Sequence, residues 1–446
     1  MPDVFLTSLS RPVVESLGIE GIFIPLEGLI DEYGYNIKKL IEHNETVRPK
    51  LTAYDGHIYF LSKYWEGVHD RHVEKMWMNM KWLNNVGMDI PETTEDFYNV
   101  LKAFKEKDAN ENGDSNDEIP FIAHTGWMSS IPNYLMNAFV YYTPSAYVED
   151  GKVKVSYAQE GWREGLRFYK RLYDEELLDN ECFSMTEEQA KALASAPTGN
   201  RVGCTVSGAI SIFDFSDPEL LNYKTIPPLT GPDGLKQAPQ YNWNPSPYFA
   251  ITSVCENPQA AIRWVDCQIK DIVPDLQNDD FDWYTLWYGT EGVSWERAEK
   301  GEIGLSGEPA KYRWLFSWNE QTNDHLFEGF LLNENVGLKG MMARVKEGYD
   351  QEATLYEETI KNYNPYAVDK TIPSMSLKPD ENERIAQLST ELSTYYQEMM
   401  AKFIRGEADL DNDWDDYLGE LEAIGLEEYL KIYQEAYDRY LSTMKK

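Results

Sequence analysis

What most constrains this chain is a change of period that repeats along it. Short apolar runs of strand length recur between longer stretches with helical spacing. Strand-like runs fall at residues 4–7, 57–61, 118–123, 152–156, 201–206 and 248–252. Between them, Phe97, Val100, Leu101 and Phe104 follow helical spacing behind Thr93 and Asp96, the two ends of a capping box. Trp162, Leu166, Tyr169 and Tyr173 form a second apolar stripe. Asn257-Pro258 supplies a cap and a first-turn proline ahead of Ile262, Val265 and Ile269. Residues 381–404 and 426–443 read as long C-terminal helices. Strands interleaved with helices predict an α/β protein and argue against a sandwich or a bundle. Pro227, Pro228, Pro232, Pro239, Pro245 and Pro247 predict an irregular crossing segment just before the strand at 248.

The 446 residues suffice for two or three domains of about 150 residues each. Lys+Arg is 41 and Asp+Glu is 76, a formal net charge of −35 with no basic stretch to offset it, so nucleic acid is excluded as a partner. Thirteen Trp, 30 Tyr and 17 Phe are more rings than a core of this size needs, so many are expected in clefts or at surfaces. No apolar run approaches the ~18 residues that span a bilayer, and Met1-Pro2-Asp3-Val4-Phe5 lacks the basic and apolar regions of an export signal. Taken literally, that start describes a cytoplasmic protein. Cys182, Cys204, Cys255 and Cys267 match no metal or redox spacing and read as buried free thiols.

The sharpest local motif runs from Asp108 to Glu118. Hard cations take about six to eight oxygens, and side chains at alternate loop positions converge when a glycine allows a sharp turn. Asp108, Asn110 and Asn112 occupy positions one, three and five, Gly113 follows, and Asp114 offers its carbonyl. Position twelve is Ile119, so Asp117 and Glu118 must close the site early. The spacing favours a structural calcium ion over a solvated Asn-Gly turn. Catalytic signatures are missing: the chain has no GxSxG, HExxH, P-loop or GxGxxG motif. His69 and His72 stand three apart without a visible third ligand and read as a solvated polar segment. Tyr64-Trp65, Trp127, Tyr241 with Trp243, Trp283-Tyr284, Trp287-Tyr288, Trp295, and Trp314 with Trp318 lie in loops or near strand ends. Flat rings beside Asn, Glu and Arg match the apolar face and hydroxyl fringe of a sugar. For any single ring, core packing is the plainer reading.

Several segments together resemble the family-1 extracellular solute-binding proteins of bacterial ABC importers, in the branch of oligosaccharide-binding lipoproteins that includes alginate-binding proteins. Tyr54-Asp55-Gly56-His57-Ile58-Tyr59-Phe60-Leu61 is similar to the family's strand and loop, and Met78–Gly87 with Ile90-Pro91-Glu92-Thr93 to its "N-K-WL-x-x-LG-x-x-x-P-x-T" segment. The loop ending in Glu118-Ile119-Pro120 resembles the calcium loop of this branch, here one residue longer. Arg201-Val202-Gly203-Cys204, Pro247–Thr252 with Asn257–Ala261, Tyr288–Val293 and residues 403–440 continue the match in order. Relatives carry a lipoprotein signal and a strand–helix–strand unit ahead of the segment matching Met1–Phe5. The resemblance therefore implies that this chain lacks the signal, the lipidated cysteine and the first βαβ unit, leaving an open edge beside residues 4–7.

The resemblance implies a two-lobed periplasmic-binding-protein fold of type II topology: mixed sheets flanked by helices and a helix-rich C-terminus. Residues 1–124 and 248–325 are expected in the N-lobe, and 125–247 and 326–446 in the C-lobe, with crossings near 122–127, 245–249 and 325. The implied function is the substrate-binding component of a carbohydrate ABC importer. It would capture an oligosaccharide by hinge closure and deliver it to permease subunits, acting as a monomer on the outer face of the membrane or in the periplasm, without catalysis. Tyr64, Trp65, Trp127, Trp243, Trp314 and Trp318 are the expected sugar contacts, and Asp108, Asn110, Asn112, Asp114, Asp117 and Glu118 the expected calcium ligands. A calcium-containing glycoside hydrolase with two cleft carboxylates is the rival reading, and an adhesive scaffold a weaker third.

Overall fold

The structure is a computed structural model, and it describes residues 1–43, 45–62, 64–65, 68–214, 216–241, 245–267, 290–293, 295–315, 333–334 and 341–444. Two sheets organise these residues. In the smaller, Pro247–Ile251 is central, with Val4–Leu6 and Leu61–Ser62 antiparallel on either side. Phe249, Ala250 and Ile251 are fully buried, because helices and strand neighbours cover the central strand on both faces. Around it Val14, Leu26, Ile30, Val47, Phe60, Ile262 and Val265 form one apolar core. The helix Pro258–Asp266 starts where its sequence signals put it: the Asn257 side chain accepts from the Ala260 N–H, and Pro258 opens the first turn.

The larger sheet has the order Ile119–Ile122, Val202–Ser207, Lys75–Asn79, Tyr223–Thr225. Its first pair is parallel and the others antiparallel. Helix Thr94–Glu106 packs beside it, opened by the capping box that Thr93 and Asp96 encode. Helix Glu160–Asp174 buries Trp162, Leu166 and Tyr169 against the C-terminal helices Pro379–Arg405, Trp414–Ile424 and Leu426–Met444. Rings weld that junction: Tyr157 and Tyr396 stack with centroids 4.4 Å apart and planes 7° from parallel. The extended stretch before Pro379 touches the smaller core, where Arg11 donates to Ser374 Oγ (2.8 Å) and Ser376 Oγ donates to Glu15 (2.6 Å).

Packing moves the first expected boundary. Residues 75–122 were placed with the N-lobe, yet the Lys75–Asn79 strand pairs on both sides within the larger sheet, and Phe97, Leu101 and Phe121 belong to its core. The chain therefore passes between cores from Ser62 to Lys75, not near residue 124. The passage back, ending at Pro247, falls where the prolines indicate. The crossing expected near 325 lies outside the described residues. The cysteines are free, but Cys267 is exposed and Cys255 half-buried, so only Cys182 and Cys204 fit the expected burial.

Candidate functional site

Lys75 pairs with Ser207 and Ile122 with Thr205, so the start of one strand and the carboxyl ends of two others share one edge of the larger sheet. The chain arrives from the smaller core at that same edge. Carboxyl edges of open α/β sheets are where ligands gather. Just beyond Ile122 the chain makes a tight turn in which Ser129 N–H donates to Gly126 O at 3.2 Å and His124 N–H to Ser129 Oγ at 3.2 Å. Met128 takes the left-handed backbone that such a turn requires, with φ 58°. The Trp127 carbonyl accepts from Ser207 Oγ (3.1 Å) and from Gly208 N–H (3.2 Å). Trp127 is thus anchored to the sheet through its backbone while its side of the turn stays open: the residue is 49 % exposed. A ring held in place before binding loses little rotamer freedom on contact, which favours its use as a platform.

Behind this turn His124 is buried and its Nδ1 accepts the Gly126 N–H at 3.0 Å. That hydrogen bond puts the proton of the neutral ring on Nε2. Burial lowers the His124 pKa.

The two passages between cores are tied to each other at the same edge. Tyr241 N–H donates to Arg71 O (2.8 Å), His72 Nδ1 lies 2.9 Å from Pro239 O, and the Tyr241 hydroxyl donates to Glu74 at 2.6 Å. Glu74 also accepts from Tyr134 N–H (3.3 Å) and from Asn137 (3.2 Å). Burial nevertheless pushes its carboxyl up to about 7, the three donors only moderating the rise. Burial likewise lowers Lys75 to about 7 and His72 to about 4. The Lys75 ammonium donates to His69 O at 3.1 Å and to the His72 carbonyl. His69 and His72 are therefore not a solvated segment; both are buried in the crossing passage. Sequence reasoning missed Glu74 and Lys75, since an acid and a lysine side by side ordinarily read as surface.

The Asp108–Glu118 loop is a run of side-chain-to-backbone turns. Asp108 accepts from Asn112 N–H (3.0 Å) and Gly113 N–H (2.9 Å), Asn112 accepts from Asp114 N–H (2.8 Å), and Gly113 has φ 93°. The Asn110 and Asn112 amides both donate to Asp117 at 3.0 Å. Glu118 is buried, one of its carboxylate oxygens, Oε2, has no hydrogen-bond partner, and burial raises its pKa. Among the described residues no group of three or more His, Cys, Asp or Glu side chains is gathered tightly enough to hold a metal.

Of the expected sugar contacts, Trp127 stands at the edge of the larger sheet where the Val202–Ser207 strand ends. Tyr64 and Trp65 are described through their backbone, which pairs in parallel with Asn333–Glu334 on the passage between Ser62 and Lys75. Trp243 and Trp318 lie outside the described residues, as do Trp283, Tyr284, Trp287 and Tyr288. Trp314 pairs with Trp295 in a two-stranded ribbon and is only 5 % exposed, so a sugar could reach its ring only if covering neighbours parted. Trp295 is fully buried. No helix among the described residues is long and apolar enough to cross a membrane.

No family model matches the chain. The fructooligosaccharide ABC transporter substrate-binding protein FusA of Streptococcus pneumoniae is 28% identical over 445 residues, covering 94% of this chain and 77% of FusA. The structure of FusA in complex with kestose superposes with a TM-score of 0.71 at 25% identity, covering 99% of this chain and 89% of that one. The chain is a relative of the ABC-transporter solute-binding proteins. Its fold is their two-lobed α/β fold. An HMO-binding, ABC-transporter-associated solute-binding protein of Bifidobacterium longum infantis, at 20% identity, superposes with a TM-score of 0.76 over 99% of this chain and 88% of that one. Lipoprotein LipO of Bacillus subtilis is 27% identical over 272 residues, 58% of this chain and 49% of LipO. FusA has also been solved as an EF-hand mutant with fructo-nystose. These relatives are transporter substrate-binding proteins and a lipoprotein, not enzymes.

Proposed function

We propose that the protein is the extracellular substrate-binding component of a carbohydrate ABC importer, capturing an oligosaccharide between its lobes and passing it to permease subunits without covalent chemistry. The observation that carries this reading is the similarity to FusA, which runs through both lobes and the passages between them. The first lobe comprises residues near 1–62 and 247–267, and the second 75–239 and 351–444. Trp127 lines the cleft from the second lobe, and Tyr64, Trp65, Trp243 and Trp318 are further ring contacts. Trp314, covered by its neighbours, is left out. Ligand contacts made by both lobes exist only in the closed form, so binding shifts the population toward closure by no more than its differential affinity. Lipid anchoring at the outer membrane face and action as a monomer belong to the same reading.

Calcium fits the acidic loop by chemistry. Asp108, Asp117 and Glu118 supply carboxylates, Asn110 and Asn112 amide oxygens, and Asp114 a carbonyl, and the partnerless oxygen of buried Glu118 is the kind of group a cation would satisfy. The EF-hand of FusA supports the reading. The ion would lock the loop to the sheet start and take no part in binding sugar.

Calorimetric titration with kestose and with a panel of neutral and uronate oligosaccharides tests the function. Binding of a neutral oligosaccharide that is recovered uncleaved, weakened about tenfold or more by Trp127→Ala, is the expected result. Release of reducing ends would overturn the transport reading in favour of a hydrolase.

A further inference from the structure

We propose that Gly208 is a positioning residue for the sugar platform: the missing side chain at 208 is the space in which the Trp127 indole sits. The inference rests on the proposed role of Trp127 and deepens it. A Cβ built at Gly208 would lie 2.3 Å from Trp127 Cζ3, 2.4 Å from Cε3 and 2.7 Å from Cη2, three consecutive atoms of the six-membered ring. Real Cβ contacts essentially never come that close, so a side chain at 208 and the indole in its present place exclude each other.

The backbone at 208 does not itself demand glycine. Gly208 is not among the glycines with positive φ, so an L-residue there meets no conformational penalty of that kind. Nor is the conflict with main chain. The nearest atoms belong to the far end of a side chain that is 49 % exposed and has somewhere to go. Gly231 makes the contrast: a Cβ there would lie 1.7 Å from the carbonyl oxygen of Ala138, which a side-chain rotation cannot relieve. Substitution at 208 should therefore act on where the indole points and leave the fold standing.

Residue 208 also fixes the other end of the same platform. Its N–H and the Ser207 hydroxyl hold the Trp127 carbonyl at 3.2 and 3.1 Å. These bonds hold the backbone of the turn while the vacant Cβ position holds the ring, so both are set by one short stretch at the end of the Val202–Ser207 strand. Alanine keeps the N–H and removes only the space. The substitution thus separates ring placement from turn formation, since a methyl group adds nothing else.

The test uses the full chain labelled with 5-fluorotryptophan, the Trp127 fluorine signal being assigned by its loss in Trp127→Phe. Gly208→Ala is expected to shift that signal, leave the others in place and keep the melting temperature within a few degrees. Kestose affinity should fall about as far in Gly208→Ala as in Trp127→Ala, and no further in the double variant, because both remove one platform. An unmoved Trp127 signal, or losses that multiply in the double variant, would overturn the positioning role. If the signal moves but neither variant changes kestose binding, the positioning stands and the placement of Trp127 in the sugar site falls. If Gly208→Ala does not fold, the double variant with Trp127→Ala decides: folding restored once the ring is gone shows that the indole and the Cβ compete for one space, and a double variant that stays unfolded overturns the proposal.

Discussion

At the residue scale, Glu74 is the group whose chemistry departs furthest from its sequence appearance. Its carboxyl is held near 7 by burial, against 4.5 for the free group. The folded state therefore keeps a proton that the unfolded chain has already released, and stability falls as pH rises through that window. The cost is complete above about pH 7, on the order of 3 kcal/mol if the whole shift is realised. Glu74→Gln removes the titration and can still accept from Tyr241. Urea unfolding should then show the variant gaining on the parent between pH 5 and pH 8, while equal slopes with pH in the two proteins would refute the buried-acid account. Nothing in a single sequence distinguishes this glutamate from its 75 acidic companions, since 76 acids are mostly surface groups. Its partners come from two stretches distant from it in sequence, Tyr134 with Asn137 and then Tyr241, and only folding brings them together.

At the scale of elements, local chemistry was readable wherever it decides the outcome by itself. The capping box at Thr93 and Asp96 forms with Asp96 N–H donating to Thr93 Oγ1 at 3.0 Å and Thr93 N–H to Asp96 at 3.0 Å. Asp96 is exposed and Thr93 half-buried, so Thr93→Ala should cost about 1 kcal/mol in chemical denaturation, with the far-UV spectrum unchanged. The long C-terminal helices, expected at 381–404 and 426–443, occur as Pro379–Arg405 and Leu426–Met444. The Lys75–Asn79 strand was not legible. Lys-Met-Trp-Met-Asn has no β-branched residue and no alternation, because the strand is central and buried on both faces. Missing that strand is also what misplaced the lobe boundary. Trp127 lies in the turn that follows the Ile119–Ile122 strand, near the passage expected at 122–127, which packing moves to the stretch between Ser62 and Lys75.

For the whole molecule, the net charge of −35 and the acidic loop act together. Bringing Asp108, Asp117 and Glu118 near one another inside a strongly negative field raises the cost of closing the loop, and a divalent cation bound only by the native state offsets it by mass action. Removing calcium with a chelator should lower the melting temperature, and restoring it in millimolar excess should raise it again. Identical melts in the two conditions would make Asp108–Glu118 an ordinary turn. The fold class was legible because family-like segments follow one another along the chain, whereas the ligand's identity was not, since it depends on side chains contributed by separated loops.

The extended stretch leading into the Pro379–Arg405 helix has a mechanical meaning. Ser374 and Ser376 are grasped by Arg11 and Glu15 of the smaller lobe, and Tyr54 N–H adds a third hold on Ser376 at 2.8 Å, while Lys378 already caps a helix rooted in the larger. A single residue, Leu377, lies between the two fastenings, and the two steps from Ser376 to Lys378 reach at most about 7 Å. Under the proposed closure, any swing of the halves pivots close to that strap or tears it loose, so the gape of the jaws is limited by a leash far along the sequence from the rings proposed to hold the sugar.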